Sequence, residues 1–98
     1  MESITNAEMR RLKARAQHLE PMFKVGKAGL SDAFVSGVSA GLASHELVKV
    51  KFVEFKDEKK TLAPALAEKT SSQLIMRVGN VAVLFRRKPA SAAAEKAG

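Results

Sequence analysis

The feature that most constrains the fold is a repeated change of hydrophobic period along a short chain. Met9, Leu12, Ala16 and Leu19 lie on one helical stripe. Met22-Phe23-Lys24-Val25 then reads as a short strand, and Phe34, Val35, Val38 and Leu42 return to helical spacing. Val48, Val50 and Phe52 alternate with Lys49 and Lys51, the two-residue period of a strand. Asp57 to Thr70 reads as a third helix, with Leu62, Ala65 and Leu66 inward. Leu74–Val78 and Val81–Arg87 read as strands joined around Gly79-Asn80, a turn composition that favours an antiparallel hairpin. The order is α-β-α-β-α-β-β. It predicts an α+β fold, a two-layer α/β sandwich with a four-stranded mixed sheet.

Local signals mark the ends of these elements. Thr5 and Glu8 have the spacing of a capping box, in which each side chain satisfies a backbone N–H of the other. Pro21 is expected to stop the first helix. Ser31 or Asp32 caps the second, which ends near His45. Val53 and Phe55 break the strand phase, so a bulge or two-sided burial is expected there. Pro64 is comfortable only in a first helical turn, which predicts a regular third helix beginning as late as Thr61 or Leu62. The length of 98 residues suits one hydrophobic core. A single domain is expected over residues 1–88 and a disordered tail over 89–98. There is no cysteine, no secretory signal and no apolar run long enough for a membrane span, so a cytoplasmic protein is expected.

Charge decides which partners to consider. Seventeen Lys and Arg against ten Asp and Glu give +7. Lys88, Glu95 and Lys96 leave the tail only slightly positive, so most of the charge belongs to the folded part, where it draws polyanions. The first candidate site is Gly26-Lys27-Ala28-Gly29, between a strand and a helix. Two glycines let backbone N–H groups approach a phosphate, the helix N-terminus adds partial positive charge, and Lys27 adds a full one. KH domains use a GXXG loop of this spacing to clamp an RNA backbone. The second candidate is the set of strand cations Lys24, Lys49, Lys51, Arg77, Arg86 and Arg87, which a helix-free sheet face could present to more backbone. Arg10, Arg11, Lys13 and Arg15 of the first helix could extend that surface.

Other chemistries fit poorly. A Walker loop would need glycine where Pro21 stands and Ser or Thr where Ala28 stands. His18 and His45 have no metal-ligand spacing, and no acid–base or nucleophilic set emerges, so neither enzyme activity nor a metal or cofactor is expected. The chain has five Phe and no Trp or Tyr. Phe34 and Phe52 read as core, Phe85 as packed under the sheet, and Phe23 and Phe55 as ambiguous. Such scarcity predicts binding by shape and phosphate rather than by base. A rival reading is a protein-interaction module docking through the small residues Gly37, Ala40, Gly41, Ala43 and Ser44 of the second helix.

The ordered motifs also resemble a known family. They are Ala16-Gln17-His18-Leu19-Glu20-Pro21, Val25-Gly26-Lys27-Ala28-Gly29-Leu30, His45-Glu46-Leu47-Val48-Lys49-Val50-Lys51, Val78-Gly79 and Val83-Leu84-Phe85-Arg86-Arg87. In this order they are similar to the CRM domain in its stand-alone bacterial form, the YhbY family, from about Thr5 to Lys88. The resemblance implies a fold similar to the C-terminal domain of translation initiation factor three. It implies RNA binding, association with precursors of the large ribosomal subunit and a role in ribosome assembly; plant relatives act in intron splicing. Apart from the resemblance, a monomer is expected. It places the family's GXXG loop on Gly26, Lys27, Ala28 and Gly29, its basic strand on Lys49 and Lys51, and its terminal basic pair on Arg86 and Arg87. The chain departs at Phe85, where Tyr is frequent, at Ser71, where the family often has Gly after Thr, and at Pro64.

Overall fold

The computed structural model describes residues 4–87, so the tail expected over 89–98 lies outside the described residues. The elements follow the expected order: α1 Asn6–Gln17, β1 Phe23–Val25, α2 Asp32–His45, β2 Leu47–Phe52, a 3-10 turn Lys56–Glu58, α3 Lys59–Lys69, β3 Gln73–Val78 and β4 Val81–Phe85. The sheet runs β1-β2-β4-β3. It is mixed because α2 carries the chain from β1 to a parallel β2, whereas β4 pairs antiparallel with both β2 and β3. No helix among the described residues is long and apolar enough to cross a membrane.

The alternation in β2 divides the core. Val48, Val50 and Phe52 pack with Val38 and Leu42 of α2, Ala63 and Leu66 of α3, and Ala82 and Leu84 of β4. Leu47 points the other way, into a second cluster with Leu12 and Ala16 of α1, Ile75, Val83 and Phe85. The helical layer of the sandwich is therefore α2 with α3, and α1 adds a partial layer on the opposite face. The sheet face expected to be free of helices is covered along its Leu47–Phe85 row.

Element ends differ from the sequence expectation for identifiable reasons. The hydroxyl of Thr5 accepts from Glu8 N at 3.1 Å and that of Ser31 from Phe34 N at 3.2 Å, as capping requires. α1 stops at Gln17, before Pro21, with the amides of His18 and Leu19 closing 3-10-type bonds onto Arg15 and Ala16. β2 ends at Phe52, where the amides of Val53 and Glu54 both donate to the carbonyl of Val25, at 3.1 and 3.0 Å, the two-against-one pattern of the expected bulge. A register shift within the sheet lies in β3, between Leu74 and Met76. α3 begins at Lys59, well ahead of Pro64. The proline's missing N–H would have served the carbonyl of Lys60, and both residues are exposed, so water can take that place.

Candidate nucleic-acid interface

Three connections converge at one end of the sheet. Val25 pairs with Phe52, so the loop after β1 and the segment after β2 leave the sheet together. Phe52 N donates to the carbonyl of Asn80 at 2.7 Å, which brings the β3–β4 turn to the same end. Lys59 Nζ then ties α3 to Asn80 Oδ1 at 2.8 Å. The Gly26–Gly29 loop is thus fixed by long-range sheet pairing rather than by local sequence alone.

Within the loop the two glycines differ. Gly29 has φ +66°, a left-handed conformation that costs other residues energy, and its amide donates to the carbonyl of Gly26 at 3.0 Å to close the turn. Gly26 needs no unusual φ, and a Cβ there would meet no protein atom within 4 Å. Its bareness leaves open space on the outer side of the loop, where a ligand backbone can approach. The Gly29 amide is spent inside the turn, while those of Lys27 and Ala28 have no hydrogen-bond partner among the described residues. Both residues are exposed. The loop therefore offers two amides without an internal partner, the Lys27 ammonium and the N-terminus of α2 together, with the exposed Asp32 carboxylate as the one opposing charge in that first helical turn.

The structure sorts the other candidate cations. Lys24 and Lys51 are exposed cross-strand partners on the sheet row beside the loop. Arg77 is exposed near the same end, opposite Ala82 in the ladder. Lys49 is half-buried, and its ammonium donates to the carbonyl of Leu19 at 2.9 Å, fastening the chain beyond α1 to β2. Arg86 donates to Ser39 Oγ at 3.0 Å, to Ser39 O at 2.7 Å and to Thr70 O at 2.8 Å. It thereby clamps α2 and the C-terminus of α3 to the end of β4. Arg87 makes a bidentate pair with Glu8 at 2.8 and 3.0 Å and lies 5.5 Å from the centre of the Phe85 ring. The hydrogen bond from Arg87 holds the Glu8 carboxyl below its ordinary value. The charge of Arg87, the amide of Thr5 and the charge of Arg11 add to this, against an opposing contribution from desolvation. Arg10, Arg11, Lys13 and Arg15 are exposed on α1. That helix packs on the sheet face of Leu47, the face to which the alternation of β2 also turns Lys49 and Lys51.

Two further contacts matter. Phe55, ambiguous in sequence, is 40% exposed and lies against Gly29. No local signal shows this contact, because it joins connections from opposite ends of α2 and β2. Gly37 and Gly41 of α2 face inward toward Phe23, and a Cβ on Gly41 would come within 2.8 Å of that ring. These glycines are accounted for by close helix–sheet packing, which removes them from the proposed protein-docking face.

The architecture defines a class: small basic α+β domains with a glycine-bounded strand–loop–helix at a cationic sheet end. The model of the CRS1/YhbY (CRM) domain matches residues 4–86, and the chain belongs to that family. Probable RNA-binding protein YqeI of Bacillus subtilis is 34% identical over 84 residues, covering 85% of this chain and 88% of its own length. A protein of Haemophilus influenzae named RNA-binding protein is 28% identical over 87 residues, covering 88% of each. The solution structure of the hypothetical protein SAV1595 from Staphylococcus aureus superposes with a TM-score of 0.74 at 31% identity, over 89% of this chain and 92% of that one. That agreement extends the α+β fold from sequence pattern to a solved relative.

Proposed function

We propose that this protein binds RNA through its phosphate backbone at the Gly26–Gly29 loop, and that it is a cytoplasmic assembly factor acting, as a monomer, on precursors of the large ribosomal subunit. The carrying observation is the loop itself: two unpartnered amides, a lysine and a helix N-terminus around a position with open space. RNA as the polyanion is supported by the names of the relatives and by the net charge of +7. The ribosomal destination rests on the family resemblance. The role is binding rather than catalysis, since phosphate grip is what these groups supply. Lys27 acts as a point charge and Gly26 admits the backbone, while Lys24 and Lys51 extend the contact along one sheet face and Arg77, in register with Ala82, offers a charge on the other face of the same end. Lys49, Arg86 and Arg87 act in the fold.

Salt dependence tests the grip. Engagement of four to five phosphates gives a slope of log K against log salt of about −3 to −4.5. Lys27→Glu should weaken every RNA alike and leave the melting temperature unchanged. A flat salt response, or selective loss of one sequence, would remove the backbone model in favour of base readout.

A further inference from the structure

Phe55 lies outside both core clusters and keeps 40% of its surface exposed, yet its position is tightly determined. The two amides before it, of Val53 and Glu54, donate to the Val25 carbonyl, and its own carbonyl accepts from Glu58 N at 3.0 Å. Its φ of +57° is left-handed, a strained setting for a bulky aromatic residue. In that conformation the ring lies against Gly29, where a Cβ would sit 3.4 Å from Cε2 of the ring. An aromatic side chain held out of the core beside a phosphate-gripping loop has the form of a stacking platform.

We infer that Phe55 stacks an unpaired RNA base whose backbone is held at Lys27 and Ala28, so that the site takes a single-stranded nucleotide rather than a duplex. This rests on the backbone grip proposed above and adds a contact to the base. The exposed charges next to Phe55 in the chain fit the division of labour. Glu54, Asp57 and Glu58 outweigh Lys56 and disfavour phosphate in that segment, whereas Lys27 lies on the loop side. The phosphate is directed to the loop and the uncharged base to the ring. Stacking is sequence-tolerant, so it adds affinity for single strands without a base code.

The test uses the full chain, single-stranded oligoadenylate and an abasic oligomer of the same length and charge. Phe55→Leu keeps an apolar side chain on Gly29 but removes the π face. Its affinity for oligoadenylate should fall roughly fivefold or more, with no change for the abasic oligomer. Phe55→Trp should preserve binding. Because the chain has no Trp or Tyr, it also introduces a sole fluorophore, quenched by oligoadenylate and not by the abasic oligomer. Unchanged binding of Phe55→Leu to both ligands would overturn the platform. So would equal weakening on both, which would make the ring a mere support for the loop. Lys27→Glu separates the two readings. If it weakens both ligands while Phe55→Leu weakens neither, the grip stands and the platform falls. If the unaltered protein binds neither oligomer at low salt, both fall.

Discussion

Replacing Arg86 distinguishes a structural arginine from a ligand-binding one. Its guanidinium makes three hydrogen bonds of 2.7 to 3.0 Å to groups on two helices. Two of the acceptors are backbone carbonyls, and one belongs to Thr70, the C-terminal cap residue of α3. Thr70 is itself buried, with its hydroxyl bonded to Leu66 O and Ser72 Oγ at 2.8 Å each. Arg86→Ala strips the clamp and leaves those carbonyls to rely on whatever water can enter. Hydrogen bonds to charged groups contribute about 1.5–3 kcal/mol each in favourable sites. Arg86 is only half-buried and the three bonds share one side chain, so the loss should total about 2–4 kcal/mol. For a domain of this size that lowers the melting temperature by roughly 10–25 °C. Arg86→Lys should recover only part of it, because an ammonium cannot reproduce the planar fork. Thermal and urea unfolding followed by circular dichroism measure the effect, and RNA titration at several salt concentrations supplies the second readout. The salt slope of the folded variant should equal that of the parent. An unchanged melting temperature with a slope shallower by about one phosphate would refute the assignment and return Arg86 to the RNA surface.

Two other outcomes follow from the same structure. Ser71, exposed just after α3, has φ +54° where the family often has Gly. Left-handed backbone costs a non-glycine residue roughly 1–2 kcal/mol, and added unfolded-state freedom returns about 0.4–1 kcal/mol of that. Ser71→Gly should therefore be neutral to stabilising, raising the melting temperature by up to roughly 10 °C, and leave RNA affinity alone; a lower melting temperature would contradict it. Glu8 titrates below its ordinary value of 4.5 because Arg87 donates to it. A carboxyl depressed on folding stabilises fully above its unfolded value, and that contribution is lost as pH falls through the folded one. Glu8→Gln should thus flatten the decline of stability below about pH 4.5, as read from urea midpoints across pH 3–6; an unaltered acid limb would mean the pair contributes nothing.

What was legible in the sequence was what local periodicity encodes. The helical stripe of Leu12 and Ala16, the alternation from Val48 to Phe52 and the caps at Thr5 and Ser31 lie within a few residues of their causes. They sufficed for the element order and for a loop between strand and helix. Which cations are free was not legible, because their partners are remote in sequence. Lys49 bonds to Leu19, Arg86 to Ser39 and Arg87 to Glu8. Six basic strand residues look alike in a list, and tertiary pairing removes half of them from the solvent-facing set. Nor could periodicity show that α1 crosses the second sheet face, since an amphipathic helix does not declare which surface it covers.

The terminal arginines show how the two levels connect. In β4, Leu84 packs with α2 and α3, whereas Phe85 packs with α1. Continuing that alternation sends Arg86 toward α2 and α3, where Ser39 and Thr70 receive it, and Arg87 toward α1, where Glu8 receives it. Adjacent residues of identical charge thus fasten opposite layers to the same strand end. The loop lies at the other end of the sheet, beyond Val25, Phe52 and Asn80. One end of the sheet is closed by arginines whose charge is used internally. The other leaves Lys24, Lys27 and Lys51 exposed beside unpartnered amides. A rigid, clamped end gives the open end a fixed geometry. On the proposed backbone grip, a loop held in this way would take a phosphate with less of the binding energy lost to ordering the protein.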